Sequence, residues 1–348
     1  MNKMKDMTQK VVLLLCFLLG CSLTVRADVE VTLTIDEGQE RTTGLMNAER
    51  NLAEVLTEIN NAQRQNRDLN NGMFRMDDFA RKSLSRLWAT TPFYCDDDVV
   101  VERCWMFANG TMMVSHIPLI IKPRPGDDSF GDNTYQEAVV EFDRNGRIID
   151  FRFSLSAQTG LSMTDCGVLE VEKAHIIQAQ VERFRTAYNT KDLATIEQMF
   201  SDDALIITGT VVATRRLSDS QSQQFKVVYN RQNKQQYLDN LRKCFARNRW
   251  IDVKFSEIGS HGEQGGCAGI TRSTIDPTRY GVRLRQSWKS SNYEDEGYLF
   301  LLFEFPKDGD PIIHVRTWQP EWVGRTKDNK GTHQQPDDDI STLGGFGL

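Results

Sequence analysis

The feature that most constrains this chain is a strand–turn–strand pattern that occurs twice. Residues 141–153 read EFDRNGRIIDFRF and residues 304–318 read EFPKDGDPIIHVRTW. In both stretches a short polar turn joins two strand-like runs, and Gly146 and Gly309 stand where such a turn favours a positive φ. Each hairpin closes a segment that begins with helical patterns. The sequence therefore predicts two consecutive modules with the same plan.

Helical patterns precede strand patterns in both modules. In the first module, helical periodicity at 47–65 and 76–89 is followed by strand-like runs up to the hairpin. In the second module, an amphipathic helix from Glu172 to the NTKD break at 189–192 is followed by a shorter helix and then by strands. Residues 215–235 are polar and suggest an excursion between elements. Helices first and strands afterwards indicate an α+β fold.

The domain boundaries follow from composition. We predict a signal peptide over 1–27, a first domain over 28–160 and a second domain over 168–322. Residues 156–167 are small and polar, without periodicity, and suggest a linker. Residues 323–348 are polar and rich in Gly and Asp, which predicts a disordered tail.

The N-terminus indicates export. Three lysines in the first ten residues precede the apolar run VVLLLCFLLGCSLTV, which is shorter than the about 20 residues of a membrane span but fits the core of a signal peptide. Cleavage before Asp28 predicts a soluble periplasmic protein. The alternative is lipid attachment at Cys21, which predicts an outer-membrane lipoprotein and the one route by which this chain would contact a membrane.

The charge of the exported part argues against nucleic acid as a partner. Residues 1–27 have a net charge of +3, because Lys3, Lys5, Lys10 and Arg26 outnumber Asp6, so the remaining chain carries −9 against −6 for the whole. An acidic exported chain lacks the basic surface that binds phosphates.

The sequence predicts neither a metal site nor a cofactor. Five cysteines remain after residue 27, too few for a disulfide scaffold, and their spacing matches no zinc pattern. Cys95 and Cys104 are expected as free buried thiols, with a bridge between them as the open alternative. The DDD runs at 96–98 and 337–339 lack the ligand spacing of a calcium loop.

The stretch VERFRTAYNTKDLATIEQMFSDDALI resembles the nuclear transport factor 2-like (NTF2-like) superfamily, which includes ketosteroid isomerase and scytalone dehydratase. The matching positions are Asn189, Asp192, Phe200, Asp202, Asp203 and Ala204. The resemblance covers about residues 172–320, with a more divergent copy before it. The C-terminal block resembles an exported Bacteroidetes-type branch of unknown activity.

The resemblance implies two tandem cone-shaped domains, each with N-terminal helices packed on a curved antiparallel sheet around a cavity. Some members of the superfamily catalyse reactions, others bind ligands, and others dimerise through the outer face of the sheet, so the fold does not decide the function. In the isomerase branch the general base and the oxyanion donor fall on positions occupied here by Thr208 and Phe184. Neither side chain has the required chemistry, which argues against isomerase activity.

The last strand suggests a different candidate site. Alternation places His314, Arg316 and Trp318 on one face, and Tyr298 and Glu304 share a face of the preceding strand. If the two faces coincide, they form the floor of a cavity for an anionic or amphipathic ligand, with His314 and Glu304 as an acid/base pair. The alternative is structural, with Arg316 paired to Glu304 and Trp318 covering apolar surface.

The leading functional hypothesis is an exported, non-enzymatic module that binds a small ligand or another envelope protein, or forms a homodimer. The candidate ligand or interface residues are Phe184, Tyr188, Tyr298, Arg316 and Trp318. The alternative is a lyase, isomerase or hydrolase that uses His314 and Glu304 in the cavity of the second domain.

Overall fold

The structure is a computed structural model that describes residues 30–35, 41–101, 103–123, 134–156, 159–160, 163, 171–213, 225–256, 269–307, 309–320 and 346. The predicted signal peptide, including Cys21, lies outside the described residues. The predicted tail also lies outside them, apart from Phe346.

Two α-helices, a short 3-10 helix (Asn71–Met73) and seven strands are described in the N-terminal half. The α-helices are α1 (Thr43–Gln65) and α2 (Asp78–Thr90). The strands are β1 (Thr32–Ile35), β2 (Phe93–Tyr94), β3 (Asp98–Val101), β4 (Arg103–Met106), β5 (Met112–Ile121), β6 (Tyr135–Phe142) and β7 (Ile148–Phe153). A five-stranded antiparallel sheet has the order β2-β5-β6-β7, with β4 also paired to β5, and β1 and β3 form a separate parallel pair.

Polar caps fix where the two N-terminal helices begin. The Thr42 side chain accepts a hydrogen bond from the backbone N–H of Leu45, and the Asp77 side chain accepts one from that of Ala80. These are the N-terminal donors that a helix leaves without an internal partner. Leucine, isoleucine and valine side chains of α1 then enter the first hydrophobic core, whose buried members span residues 31–153.

Three helices and seven strands are described in the C-terminal half. The helices are α3 (Val171–Asn189), α4 (Leu193–Met199) and α5 (Lys234–Arg247). The strands are β8 (Phe200–Ala213), β9 (Phe225–Asn233), β10 (Ile251–Ser256), β11 (Ile270–Arg272), β12 (Arg279–Ser290), β13 (Glu294–Glu304) and β14 (Ile312–Pro320). Their sheet has the order β10-β12-β13-β14-β8-β9, with β11 also paired to β12.

The α+β class is confirmed, with helices on a curled, largely antiparallel sheet. One pair in the C-terminal sheet is parallel, because β14 returns beside β8, the first strand of that half. A second hydrophobic core spans buried residues 155–313. Met163, within the predicted linker, and Leu155, directly before it, are buried in this second core, so these residues pack against the fold. The domain boundaries themselves remain a prediction.

Two polar segments differ from the sequence-based expectation. Residues 225–233, expected to be part of a polar excursion, form β9 at the edge of the sheet. The described side chains of β9 from Val227 onwards are exposed or half-buried, so the strand has no buried face that an apolar alternation would reveal. Strand β8 begins at Phe200 and therefore includes Asp202 and Asp203, although aspartates generally favour turns over strands.

The positive φ expected at both hairpin glycines is confirmed, at 78° for Gly146 and 104° for Gly309. The surroundings of the two turns differ. A Cβ atom added at Gly146 would lie 2.6 Å from the backbone nitrogen of Ala48 on α1, whereas none of the described atoms lies within 4 Å of one added at Gly309. The first turn is packed against a helix and the second is open.

Cys95 and Cys104 are buried and are not joined by a disulfide, as expected. Burial raises the pKa of Cys95 to about 12, so this thiol stays protonated at neutral pH.

Helix α3 joins the two halves. Its apolar stripe, including Ile177, Val181 and Phe184, lies in the second core. Its opposite side faces β7 of the N-terminal half, where Arg185 Nη2 donates to the carbonyl oxygens of Phe153 and Ser154 at 3.0 and 2.7 Å. Both sides of this helix are therefore buried.

A buried charge cluster lies between α3 and β7. Arg152 on β7 is fully buried, and its guanidinium lies 2.7 Å from Glu141, 2.8 Å from Asp150 and 3.2 Å from Glu182 of α3. Arg183 of α3 adds a second cation, 3.2 Å from Asp150. Opposite charges held this close, out of water, fix the orientation of α3 against β7.

The outer face of the C-terminal sheet is covered at one point by the end of the chain. Phe300, Leu302 and Val315 form a small buried apolar cluster on this face. Phe346 stacks on Phe300, with ring centroids 5.6 Å apart and ring planes 6° from parallel. This residue of the predicted disordered tail therefore packs against the sheet.

Candidate functional site

The largest described cavity lies in the C-terminal half, between helices α3 and α5 and the inner face of the sheet. Its volume is about 1110 Å³. The residues that define its chemistry are Tyr188 of α3, Tyr237 of α5, Thr208 of β8, Trp288 of β12, Asp295 of β13, and Arg316 and Trp318 of β14. We refer to it as the C-terminal cavity. This volume is slightly above the roughly 300–1,000 Å³ that is usual for small-molecule pockets, so the cavity has room for a small-molecule ligand.

A bulge in β14 turns Arg316 into this cavity. Ile313 pairs with Phe303 and Val315 pairs with Leu302, so His314 is an extra residue between two consecutive rungs of the ladder. Beyond such a bulge the alternation changes phase. Ile313 and Arg316 therefore both face the helices, although three positions separate them.

Arg316 is held by two tyrosines. Only 5% of its surface is exposed, and its guanidinium carbon lies 5.3 Å from the centroid of the Tyr237 ring, a cation–π distance. Arg316 also donates a hydrogen bond to the Tyr188 hydroxyl, which is in turn hydrogen-bonded to the Tyr237 hydroxyl. The two rings and their hydroxyl groups therefore fix the guanidinium in place.

Some donors at this end of the cavity lack partners. Among the described residues, nothing accepts a hydrogen bond from Nε and Nη1 of Arg316 or from Nε1 of Trp318, and all three atoms are buried. A buried donor without an acceptor costs about 1–3 kcal/mol. A ligand oxygen that accepts from these nitrogens would recover that free energy, so the arrangement favours an anion.

The protonation states support the same conclusion. Burial lowers the pKa of Arg316, but the two tyrosines and Asp295 outweigh burial and the pKa lies above its ordinary value. Burial raises the pKa of Tyr188 well above its ordinary value, so its hydroxyl stays neutral. Burial also raises the pKa of Asp295, despite Tyr293 and Arg316, which lower it. These shifts favour the charged form of Arg316 and the neutral forms of Tyr188 and Asp295.

The predicted shared face is wrong for Tyr298. Arg316 pairs with Leu301 across the ladder, and Leu301 lies in the second core. Tyr298 alternates with it and lies on the outer face, where the guanidinium of Arg283 stands 5.6 Å from its ring centroid. The change of phase at His314 is the physical reason, because period-two counting assumes an unbroken ladder.

The other aromatic candidates separate into core and cavity. Phe184 is fully buried in the second core, edge-on to Tyr188 with ring centroids 4.7 Å apart, and it is not among the residues that line the described cavities. Trp318 is 9% exposed and lines the C-terminal cavity. It faces the interior of its own half rather than an external protein surface.

His314 and Glu304 lie together, as the sequence suggested, but at the surface. His314 Nε2 is 3.4 Å from Glu304 Oε2, and His314 Nδ1 is 3.4 Å from Asp203, whose side chain is 81% exposed. Glu304 also accepts a hydrogen bond from Arg279 Nε at 3.1 Å. The structural alternative predicted from the sequence paired Glu304 with Arg316 instead. Neither His314 nor Glu304 is among the residues lining the described cavities.

Sequence reasoning missed Tyr237 and Trp288, which complete the cavity. Tyr237 lies on the buried face of α5, where an aromatic side chain suggests ordinary core packing. Trp288 stands near the end of a long strand, and its position opposite α3 depends on how the sheet curls. Only the combination of helix and sheet brings these rings to Tyr188.

Two further observations concern the described residues alone. They contain no group of three or more His, Cys, Asp or Glu side chains arranged to hold a metal ion. No helix in the described part of the chain combines the length and the apolar character of a membrane span.

No protein-family model and no curated protein sequence matches this chain. Solved structures do match it. An NTF2-like protein of unknown function from Pseudomonas putida is 11% identical, over 48% of this chain and 99% of that one, with a TM-score of 0.31. An NTF-2-like protein of unknown function from Shewanella oneidensis is 15% identical, over 42% and 98% of the two chains, with a TM-score of 0.29.

A third match is a structure from Bdellovibrio bacteriovorus. It is 13% identical with a TM-score of 0.30, and the match covers 43% of this chain and 41% of that one, so it spans less than half of either protein. The NTF2-like proteins among these neighbours belong to the superfamily that the sequence resembles. Each of these three matches covers less than half of this chain.

Proposed function

We propose that this chain is an exported, non-enzymatic binding protein of two NTF2-like units, whose C-terminal cavity takes a small amphipathic anion. The observation that carries the proposal is the buried Arg316 guanidinium, fixed by Tyr188 and Tyr237 and left with two nitrogen atoms that have no acceptor among the described residues. Export rests on the basic flank and apolar run of residues 1–27.

The walls of the cavity define the rest of the ligand. Tyr188 and Trp288 meet edge to face, with ring centroids 5.7 Å apart, and Trp318 adds an indole whose N–H lies on the same strand as Arg316. Aromatic rings contribute large apolar contact areas, and the indole nitrogen contributes a single donor. A molecule with a carboxylate, sulfate or phosphate group and an apolar body would match this surface.

The observations favour a small ligand over another envelope protein. Arg316 and Trp318, the candidates for an interface, are 5% and 9% exposed and face the helices of their own half. An external protein would reach neither side chain without opening the domain. A homodimer through the outer face of the sheet stays a separate prediction, and Phe346 packs on part of that face.

The test is competition for a fluorescent anion. The full mature chain, residues 28–348, is titrated with 1-anilinonaphthalene-8-sulfonate, which is then displaced with decanoate, benzoate or dodecyl sulfate and, in parallel, with the neutral decan-1-ol. We expect displacement by at least one anion at concentrations well below those needed for the alcohol. Removal of a buried charge partner typically costs about 2–5 kcal/mol of binding free energy. We therefore expect Arg316→Gln to lower the affinity for that anion by about 100-fold.

The matched control is Arg285→Gln. Arg285 lies on the same sheet, but it is 43% exposed and pairs with Glu296 at 2.6 Å, so its loss should leave anion affinity unchanged. Circular dichroism checks that both variants fold. Equal binding of anions and the neutral alcohol, or equal binding by the wild type and a folded Arg316→Gln variant, would contradict the proposal.

The enzymatic alternative keeps one favourable observation, the 3.4 Å contact between His314 and Glu304. An acid/base pair acts only where a substrate can be held beside it. The pair is half-exposed, and Glu304 also forms an ion pair with Arg279 at 3.1 Å. Turnover of a small substrate that is lost in a folded His314→Ala variant would establish this alternative, whereas we expect His314→Ala to leave anion binding unchanged.

A further inference from the structure

A second described cavity lies between the two halves of the chain, and we call it the junction cavity. Its volume is about 340 Å³. The N-terminal half contributes Thr91 after α2 and Phe153 of β7, and the C-terminal half contributes Thr186 of α3 and Trp250 beside β10. None of the residues described as lining it also lines the C-terminal cavity. The two cavities are therefore separate sites.

Three buried polar groups around the junction cavity lack partners among the described residues. They are the hydroxyl oxygens of Thr91 and Thr186 and the Nε nitrogen of Arg185. The three residues are 1%, 6% and 8% exposed. Buried polar groups are normally hydrogen-bonded, so three such groups around one cavity mark a site that a polar molecule completes.

The charges of the lining balance one another. Lys254 lies 3.3 Å from Asp252, and Glu137 lies 2.7 Å from His116 and accepts a hydrogen bond from the Tyr135 hydroxyl at 2.8 Å. Arg185, the remaining cation, already donates to two backbone carbonyl oxygens. Each formal charge has a protein partner, so the lining selects neither an anion nor a cation.

Hydroxyl groups are the commonest polar feature of the lining. Thr90 donates to the Arg86 carbonyl oxygen at 2.8 Å, Thr190 donates to that of Thr186 at 2.8 Å, and Ser154 donates to that of Glu137 at 3.2 Å. Each of these oxygens keeps lone pairs that can accept a hydrogen bond. A ligand with several hydroxyl groups can donate to them and also accept from Arg185.

Aromatic side chains supply the apolar part of the wall. Phe153 and Phe255 are 8% and 4% exposed, and Trp250 is half-buried. Flat rings of this kind pack against the C–H faces of a cyclic molecule while the hydroxyl groups at its rim reach polar partners. We propose that the junction cavity binds a small uncharged polyhydroxylated molecule, of monosaccharide to disaccharide size.

Isothermal titration calorimetry of the mature chain with D-glucose, N-acetylglucosamine and maltose tests this proposal. Glycine serves as a zwitterionic comparison. Benzoate serves as an anionic one and is titrated into the Arg316→Gln variant, so that anion binding in the C-terminal cavity does not contribute. We expect saturable binding of at least one sugar, and about tenfold weaker binding in Thr186→Val and in Thr91→Val, because each loses one hydrogen bond to the ligand. Thr186→Ser keeps the hydroxyl group and should keep the affinity.

Thr208→Val is the matched control, because it removes a hydroxyl group from the C-terminal cavity and should leave sugar binding unchanged. Thr186→Val deletes a hydroxyl group that has no partner, so the melting temperature without sugar should stay equal or rise, which separates lost binding from lost folding. Absence of sugar binding, unchanged affinity in both valine variants, or tighter binding of glycine or benzoate than of any sugar would each overturn the proposal. Anion binding at Arg316 is measured separately, so either proposal can fail alone.

Discussion

The Nε nitrogen of Arg152 on β7 lies 3.2 Å from the Oε2 oxygen of Glu182 on α3, and both side chains are buried. The other oxygen of Glu182 accepts from the backbone N–H of Leu155 at 3.1 Å. One carboxylate therefore binds both the strand that ends the N-terminal half and the chain that leaves it. The contact between the halves is a specific electrostatic one.

We expect Arg152→Ala to lower the free energy of unfolding by about 3–5 kcal/mol, the usual result of leaving buried charges without their partner. Asp150 and Glu182, both about 1% exposed, would lose their nearest cation. Urea denaturation followed by circular dichroism measures the change. Arg285→Ala, which breaks a surface pair, should cost about 1 kcal/mol or less, and equal losses in the two variants would contradict the assignment.

Asp150 makes stability depend on pH. Burial alone raises its pKa, but Arg183 and Arg152 outweigh burial and hold the pKa below its ordinary value of 3.8. A carboxyl group with a depressed folded-state pKa stabilises the fold fully above the ordinary value, and this stabilisation disappears as pH falls through the lower folded-state value.

We therefore expect the ionisation of Asp150 to leave the urea concentration at half-unfolding unchanged above about pH 5 and to lower that concentration below about pH 4. Asp150→Asn cannot titrate and should be less stable at pH 6 but lose less on acidification. Parallel pH profiles for the variant and the wild type would mean that other carboxyl groups control acid unfolding.

Helix α3 shows how far the sequence determined the fold. Its apolar stripe predicted the side that enters the second core, because those side chains recur at helical spacing. Its other side carries Glu182 and Arg185, which periodicity assigns to solvent, and only the approach of β7 buries them. Arg316 is a similar case, since a one-residue bulge at His314 decides its direction and local propensity does not encode that bulge.

The two hairpin glycines give a matched pair of substitutions. Gly146→Ala forces a positive φ on alanine and places its Cβ against the backbone of α1, so we expect a loss of about 3 kcal/mol or more. Gly309→Ala should cost only the strain of a positive φ on alanine, about 1 kcal/mol, because none of the described atoms lies within 4 Å of the added Cβ. Thermal and urea denaturation compare them, and a Gly309→Ala loss equal to that of Gly146→Ala would contradict the difference in packing.

Tyr188 should act on the ligand through Arg316. Its hydroxyl group accepts a hydrogen bond from the guanidinium, so Tyr188→Phe removes one of the contacts that orient the cation. We expect anion affinity to fall about tenfold, the equivalent of one hydrogen bond to a charged group. Tyr298→Phe, on the outer face of the sheet, should leave displacement of the fluorescent anion unchanged, and an equal effect of both variants would contradict a direct role for Tyr188.

Thr186 and Tyr188 stand two positions apart on α3, and their side chains line different cavities. A rigid helix that forms part of two binding sites can transmit a displacement from one to the other without any change in the rest of the fold. Thermodynamic linkage then requires reciprocity: if occupancy of the junction cavity changes affinity in the C-terminal cavity by some factor, the second ligand must change affinity for the first by the same factor. Among the described elements, the helix that holds the two halves together is the one that lines both cavities, so coupling between two bound ligands would be expected to act through it.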